Sequence, residues 1–185
     1  MPRRLRLTIS VAAAAALGFL FAAVVRAQSP ARALDDATIV AIFDEANTAD
    51  IETSGLAASR AAHDDVRELG RTFVHDHTAV RQQGRDLAKK LGVTPTPPKP
   101  DQGAIDHAAA MKKLRALKGD AFDRAYLAHE VAYHQAVIDA VTQTLVPAIK
   151  NAEVKAFVLQ VAPAFQGHLA AAKKLAEKYG PPASP

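Results

Sequence analysis

Residues 127–145 read LAHEVAYHQAVIDAVTQTL. Within that stretch Leu127, Val131, His134, Ile138, Val141 and Leu145 step by three and four residues, the spacing of one face of an α-helix. An imidazole stands on an otherwise apolar stripe. The pattern recurs twice. His77 interrupts Val66, Leu69, Phe73, Val80, Leu87 and Leu91, and His168 interrupts Val154, Phe157, Val161, Phe165, Leu175 and Tyr179. Three different helices therefore aim a histidine at the core. A polar group buried without a partner costs roughly 1–3 kcal/mol, so three of them call for a common cause. A shared site inside a helical bundle is the sharpest one.

Outward from these seams the chain reads as helix almost throughout. It is rich in Ala, Leu, Lys, Arg and Glu and poor in alternating β-branched runs. The first long helix is expected from Asp36 to Ala61, with Asp35 or Asp36 as N-cap. The second is expected from Asp64 to Leu91, followed by Gly92 at the position that favours glycine. Thr94 to Pro100 holds four prolines and reads as a stiff extended link. A short amphipathic helix over Ile105 to Leu117 ends at Gly119. Asp120 should cap a third long helix that Pro147 closes, and Asn151 a fourth that ends at Tyr179 and kinks at Pro163. The fold class is all-α. Two tight turns and one long second-to-third connection give a ferritin-like four-helix bundle over residues 35–179, with a crossover carrying a short extra helix.

The N-terminus reads as targeting sequence. Arg3, Arg4 and Arg6 precede the uncharged run Thr8 to Val25, and Val25-Arg26-Ala27 fits a small-x-Ala cleavage site. Residues 1–27 are thus expected to be a signal peptide, with a retained anchor as the alternative. Residues 28–34 would form a flexible start and 180–185 a disordered tail. Removing the signal takes four of the 23 basic residues and no acid, leaving 19 of each sign. The high overall pI therefore belongs to the signal and gives no reason to expect nucleic acid. No integral membrane segment remains after cleavage, and the sequence names no protein partner. The expected location is the periplasm or envelope. With no Cys, thiolate metal sites, cysteine nucleophiles and a lipid-anchored lipoprotein are excluded.

Three neutral imidazoles with one or two carboxylates suit Zn, Cu, Fe or Mn. The candidate ligands are His77, His134 and His168, helped by Asp50 or Glu52. Asp50 lies beside the first helix's seam of Ile39, Ile42, Ala46, Ala49, Thr53 and Leu56, and Glu52 and Glu45 lie on its opposite edge. Asp76 and Glu130 also flank their seams. The remaining histidines read as solvated or as wall residues: His75 among polar neighbours, His63 at a turn, His107 on the short helix, His129 beside Tyr126 and Tyr133.

These residues carry a resemblance. Ala49-Asp50-Ile51-Glu52, Val66-Arg67-Glu68-Leu69 leading to Asp76-His77, Phe122-Asp123 with Tyr126-Leu127, His134, and Pro163 followed by His168-Leu169 resemble the ferritin-like bacterial family catalogued as domain of unknown function 4142. The resemblance covers about Ala37 to Tyr179. It implies a secreted or envelope bundle and supplies no activity. The family usually has Glu where Asp50 stands. A ferritin-type di-iron site needs Glu three residues before histidine on two helices. Here Val74, Val131 and Phe165 occupy those places, so ferroxidase chemistry is not expected.

Three readings compete: a metal-binding bundle, a structural or stress-related envelope protein whose histidines form a buried hydrogen-bond network, and a metal-dependent enzyme. No legible acid/base pair or substrate pocket favours the third. The N-terminal reading has its own test. The mature chain should begin near Gln28, which sequencing the N-terminus of envelope material checks. An intact Met1 in a washed membrane fraction means an anchor instead.

Overall fold

A computed structural model describes residues 34–182. The expected signal segment, most of 28–34 and the last three residues lie outside the described residues. Within them the chain is all-helical. Helix α1 (Asp36–Arg60) begins at the expected cap, with Asp35 accepting from the Thr38 amide at 2.8 Å. Helix α2 (Asp64–Lys90) ends before Gly92, whose φ of 64° is the left-handed conformation that suits glycine. Helix α3 (Gln102–Ala116) starts on the Asp101 carboxylate. Helix α4 (Gly119–Ala140) passes into π-helical Val141–Leu145 and a last turn, Val146–Ala148. Helix α5 (Ala152–Tyr179) is capped by Asn151, which accepts from the Glu153 and Val154 amides.

Two local expectations are corrected. Asp120 is not a cap; it sits in the first turn of α4, behind Gly119 at φ 58°. Pro147 does not end its helix at once but lies inside the last turn, just after the π-helical segment. Proline has no amide for the carbonyl four residues earlier and its ring crowds that carbonyl, so the backbone widens there. Pro163 lies inside α5, as expected, on the exposed face, where water can serve the freed carbonyl.

The long helices pack in a ring: α1 against α2 and α4, and α5 against α4 and α2. Helix α3 and the exposed stretch from Thr94 to Pro97 cross the outside, held by a bond from the Thr96 amide to the Ala37 carbonyl. Two apolar clusters fill the inside. One centres on Phe73, Phe122, Tyr126 and Leu127; the other on Ile39, Phe43, Val158 and Phe165. Burying each such side chain contributes about 1.5–3 kcal/mol. No described helix is long and apolar enough to cross a membrane.

Each hairpin is fastened by an acid from the other. Asp123 on α4 is fully buried and accepts from the Ala62 and His63 amides and from His63 Nδ1, all at 2.8–2.9 Å, at the α1–α2 turn. Asp36 on α1 accepts from the Lys150 and Asn151 amides, at the α4–α5 turn.

Helices α1 and α2 touch closely at Gly70. A Cβ there would stand 2.7 Å from the Ala58 amide nitrogen and 2.7 Å from the Ser54 carbonyl. Gly70→Ala should therefore cost about 1–3 kcal/mol by overpacking. Gly167, inside α5 with nothing within 4 Å of its virtual Cβ, should gain about 0.5–1 kcal/mol on change to Ala. Denaturant melts of the two variants check the opposite signs.

Candidate metal centre

Between the two apolar clusters lies a polar layer to which all four long helices contribute. Asp50 comes from α1, His77 from α2, Glu130 and His134 from α4, and His168 from α5. Asp50 and Glu130 are 0 % exposed, and the three histidines 1–8 %. His77 and His168 meet at 3.1 Å, Nε2 to Nδ1. Asp50 Oδ2 lies 3.5 Å from His77 Nε2 and 3.6 Å from His134 Nε2. His77, His134 and His168 can each turn a ligand atom to within 4.8 Å of the others, and so can Asp50, Glu130 and His134. These buried groups could hold a metal ion.

Aromatic rings close the layer on both sides. Phe73, from one apolar cluster, stacks on His168 with centroids 4.3 Å apart. Phe165, from the other, stacks on His77 at 5.7 Å.

Each histidine uses its outer nitrogen on a protein acceptor. His77 Nδ1 donates to Asn47 Oδ1 at 2.9 Å, and the Asn47 amide is oriented by its own bond to the Phe43 carbonyl. His134 Nδ1 donates to the Glu130 carbonyl at 3.1 Å. His168 Nε2 donates to Asp76 Oδ2 at 3.0 Å, and His75 bonds the other oxygen of that carboxylate. Acceptors on the outside assign the tautomers. The inner nitrogens of neutral rings then all present lone pairs, and they face a carboxylate. Asp50 Oδ2, Glu130 Oε2 and His134 Nε2 are buried without a hydrogen-bond partner. Apart from protons held on the two carboxyls, the centre is a pocket of acceptors.

The carboxylates are supported from behind. Ser54 donates to Asp50 Oδ1 at 3.1 Å and shares a 2.9 Å hydrogen bond with the fully buried Tyr126 hydroxyl. Thr53 donates to Glu130 Oε1. Burial, then the neighbouring Glu130 charge, pushes the Asp50 carboxyl well up. Burial pushes Glu130 from 4.5 up to about 8. Burial and its two histidine neighbours lower His77 to about 3. His134 and His168 are also lowered by burial, against the pull of Asp50 and Asp76 respectively. Asp76 is pushed up by burial, but the hydrogen bonds from His75 and His168 outweigh it and hold the carboxyl low.

Of the ligands expected from sequence, the structure brings together His77, His134, His168 and Asp50. It does not bring Glu52, which is 200° around α1 from Asp50 at 100° per residue and instead bonds His107 of α3 at 2.8 Å. Glu130 takes the second carboxylate position. The seam read on α1 was displaced. Its buried line runs through Ile39, Phe43, Asn47, Asp50, Ser54 and Ala57, while Ile42, Ala46, Ala49 and Leu56 are half-buried. The middle of that line is polar, so apolar periodicity pointed beside it. Asn47 was missed for that reason. His63 is more than a turn residue, since Asp123 fixes it. His129 is the expected wall residue, stacked on Tyr133.

The profile of the family described as "Domain of unknown function (DUF4142)" matches residues 22–175, most of the chain. The chain belongs to the DUF4142 family. No curated protein and no solved structure matches it. In this DUF4142 chain the Asp-His pair of α2 has a defined arrangement: Asp76 orients His168 of another helix, not its neighbour His77.

The raised Glu130 carboxyl makes the metal-free protein sensitive to alkali. Folded, it holds a proton that the unfolded chain has released above pH 4.5, so stability falls as pH rises towards 8. The lowered His77 has the opposite sign and acts below pH 6.5, where the unfolded chain takes up the proton first. From pH 6.5 to 8 the carboxyls therefore govern. Melting of chelator-treated protein should drop over that interval. Glu130→Gln, which keeps an acceptor for Thr53, should flatten the drop. An equal slope in the variant refutes the assignment.

Proposed function

We propose that this protein is an exported, ferritin-like four-helix bundle of the cell envelope that binds one divalent transition metal at its centre. The ligands are His77 Nε2, His134 Nε2, His168 Nδ1 and Asp50 Oδ2, one donor from each long helix. The observation that carries the reading is the acceptor-only pocket: three imidazoles whose outer N–H groups are committed to Asn47, the Glu130 carbonyl and Asp76, leaving three lone pairs beside an unpartnered carboxylate oxygen. A cation removes the conflict that neutral rings suffer there.

The spacing supports it. Two ligands at about 2.1 Å from a tetrahedral ion lie about 3.4 Å apart; three of the six separations here are 3.1, 3.5 and 3.6 Å, and the three histidine ligand atoms lie within 4.8 Å of one another. Nitrogen and oxygen donors without sulfur suit Zn, Cu, Fe or Mn. The outer partners match the way metal-bound histidines are held, with the remote N–H on a carboxylate, carbonyl or amide oxygen. Glu130, beside Asp50, stays protonated or completes the coordination. The basic and apolar run of residues 1–27 supports export. The element order, with α3 on the α2–α4 connection, supports the ferritin-like arrangement.

One observation favours the hydrogen-bond network instead. Asp50, Ser54 and Tyr126 are linked, as are Thr53 and Glu130, and a proton between His77 and His168 could replace the ion. Added metal separates the two. At a hundredfold excess over its dissociation constant, a bound ion raises stability by about 2.7 kcal/mol. The gain should fade as pH falls through about 6, because protonated imidazole cannot ligate. His77→Gln, His134→Gln, His168→Gln and Asp50→Asn should each remove most of it; His75→Gln and Glu52→Gln should leave it intact. If Zn, Cu, Fe and Mn all leave the wild-type melting midpoint unmoved at neutral pH, no metal site exists and the network reading stands.

A further inference from the structure

Beside the ion position lies a void with room for about one molecule of water's size. Its walls are the apolar Phe43, Ala46, Val137 and Phe165, and it borders His77 and His134 but neither Asp50 nor His168. Ala46, Tyr133 and Val137 are half-buried, so the void reaches towards the surface between α1 and α4. Its remaining polar lining is already committed. The Asn47 amide bonds Phe43 and His77, and the Tyr133 hydroxyl donates to the Ala46 carbonyl at 2.8 Å. The lining offers no uncommitted donor to an anion, and the acceptors that border it, His77 Nε2 and His134 Nε2, face the ion position.

We infer that this void seats a small, uncharged ligand of diatomic size, which adds to the four protein donors as a fifth ligand of the metal through the His77–His134 edge. The inference rests on the metal reading above. An apolar wall admits such a molecule without the desolvation penalty that excludes charged ones. The binding step is coordination alone: the ligand donates an electron pair to the ion, and no other bond is made or broken.

Nitric oxide is the probe. Purified protein is loaded with Fe2+ or Co2+ in oxygen-free solution, the bound ion is quantified, and nitric oxide is added while absorption and electron paramagnetic resonance are recorded. The wild type should form one metal–nitrosyl per bound ion. Val137→Phe and Ala46→Leu, which fill the void from opposite helices, should keep the ion and lose the nitrosyl. An ion bound in wild type without a nitrosyl overturns the inference and leaves the metal reading standing. Undiminished nitrosyl in both filled variants also overturns it. Retention of neither ion overturns it too, and zinc titration then judges the metal reading separately. Should those variants fail to fold, the milder Val137→Ile and Ala46→Val should lower the nitrosyl yield in the same assay, and an undiminished yield overturns the inference.

Discussion

The organising constraint is an imbalance of acceptors over donors in a buried layer. Asp50, Glu130 and three imidazoles converge there with no lysine or arginine among them. Unpartnered buried polar atoms cost roughly 1–3 kcal/mol each. Such a layer persists only if positive charge arrives, as protons on the carboxyls or as an ion among the nitrogens. The surroundings suit both. Apolar clusters above and below keep the dielectric low, which raises the carboxyls and lowers the histidines. The neutral forms are the ones that a dry interior tolerates, and neutral imidazole is also the form that binds metals.

Most of this was legible where the polar intruder stood on an otherwise apolar seam. His77, His134 and His168 announced themselves because Leu, Val and Phe flank them at helical spacing. Caps read correctly where a side chain does the work, as at Asp35 and Asn151. Helix α1 failed differently. Its buried line is itself polar at Asn47, Asp50, Thr53 and Ser54, so hydropathy drew the eye to the neighbouring alanines and made Glu52 look nearer than it is. Glu130 was seen to flank its seam, but its rank against Glu52 needed the packing of α4 on α1.

Partners across helices were beyond the sequence for another reason. Asp76 precedes His77, and adjacency suggests a pair. In a helix neighbouring residues point about 100° apart, so the carboxylate serves His168 on α5 instead. Pairings of that kind are decided by rotation and height of helices, which periodicity within one helix does not report. The bulge at Val141–Leu145 is similar: proline marks trouble, and the packing of Val141 and Leu145 in the core decides that the helix widens there and does not stop.

The reciprocal clasps have a kinetic meaning. Asp123 holds the α1–α2 turn and Asp36 holds the α4–α5 turn, and these turns are at opposite ends of the helices. Neither hairpin can swing away on the other as a hinge, because each end is latched from the far side. Partial opening must break a latch and expose the polar layer together. The interior is therefore a single cooperative unit. Its amide protons should exchange with solvent by the same rare event that unfolds the whole protein, and anything enclosed at the centre should have a residence time set by that event or by a passage as narrow as the cleft between α1 and α4.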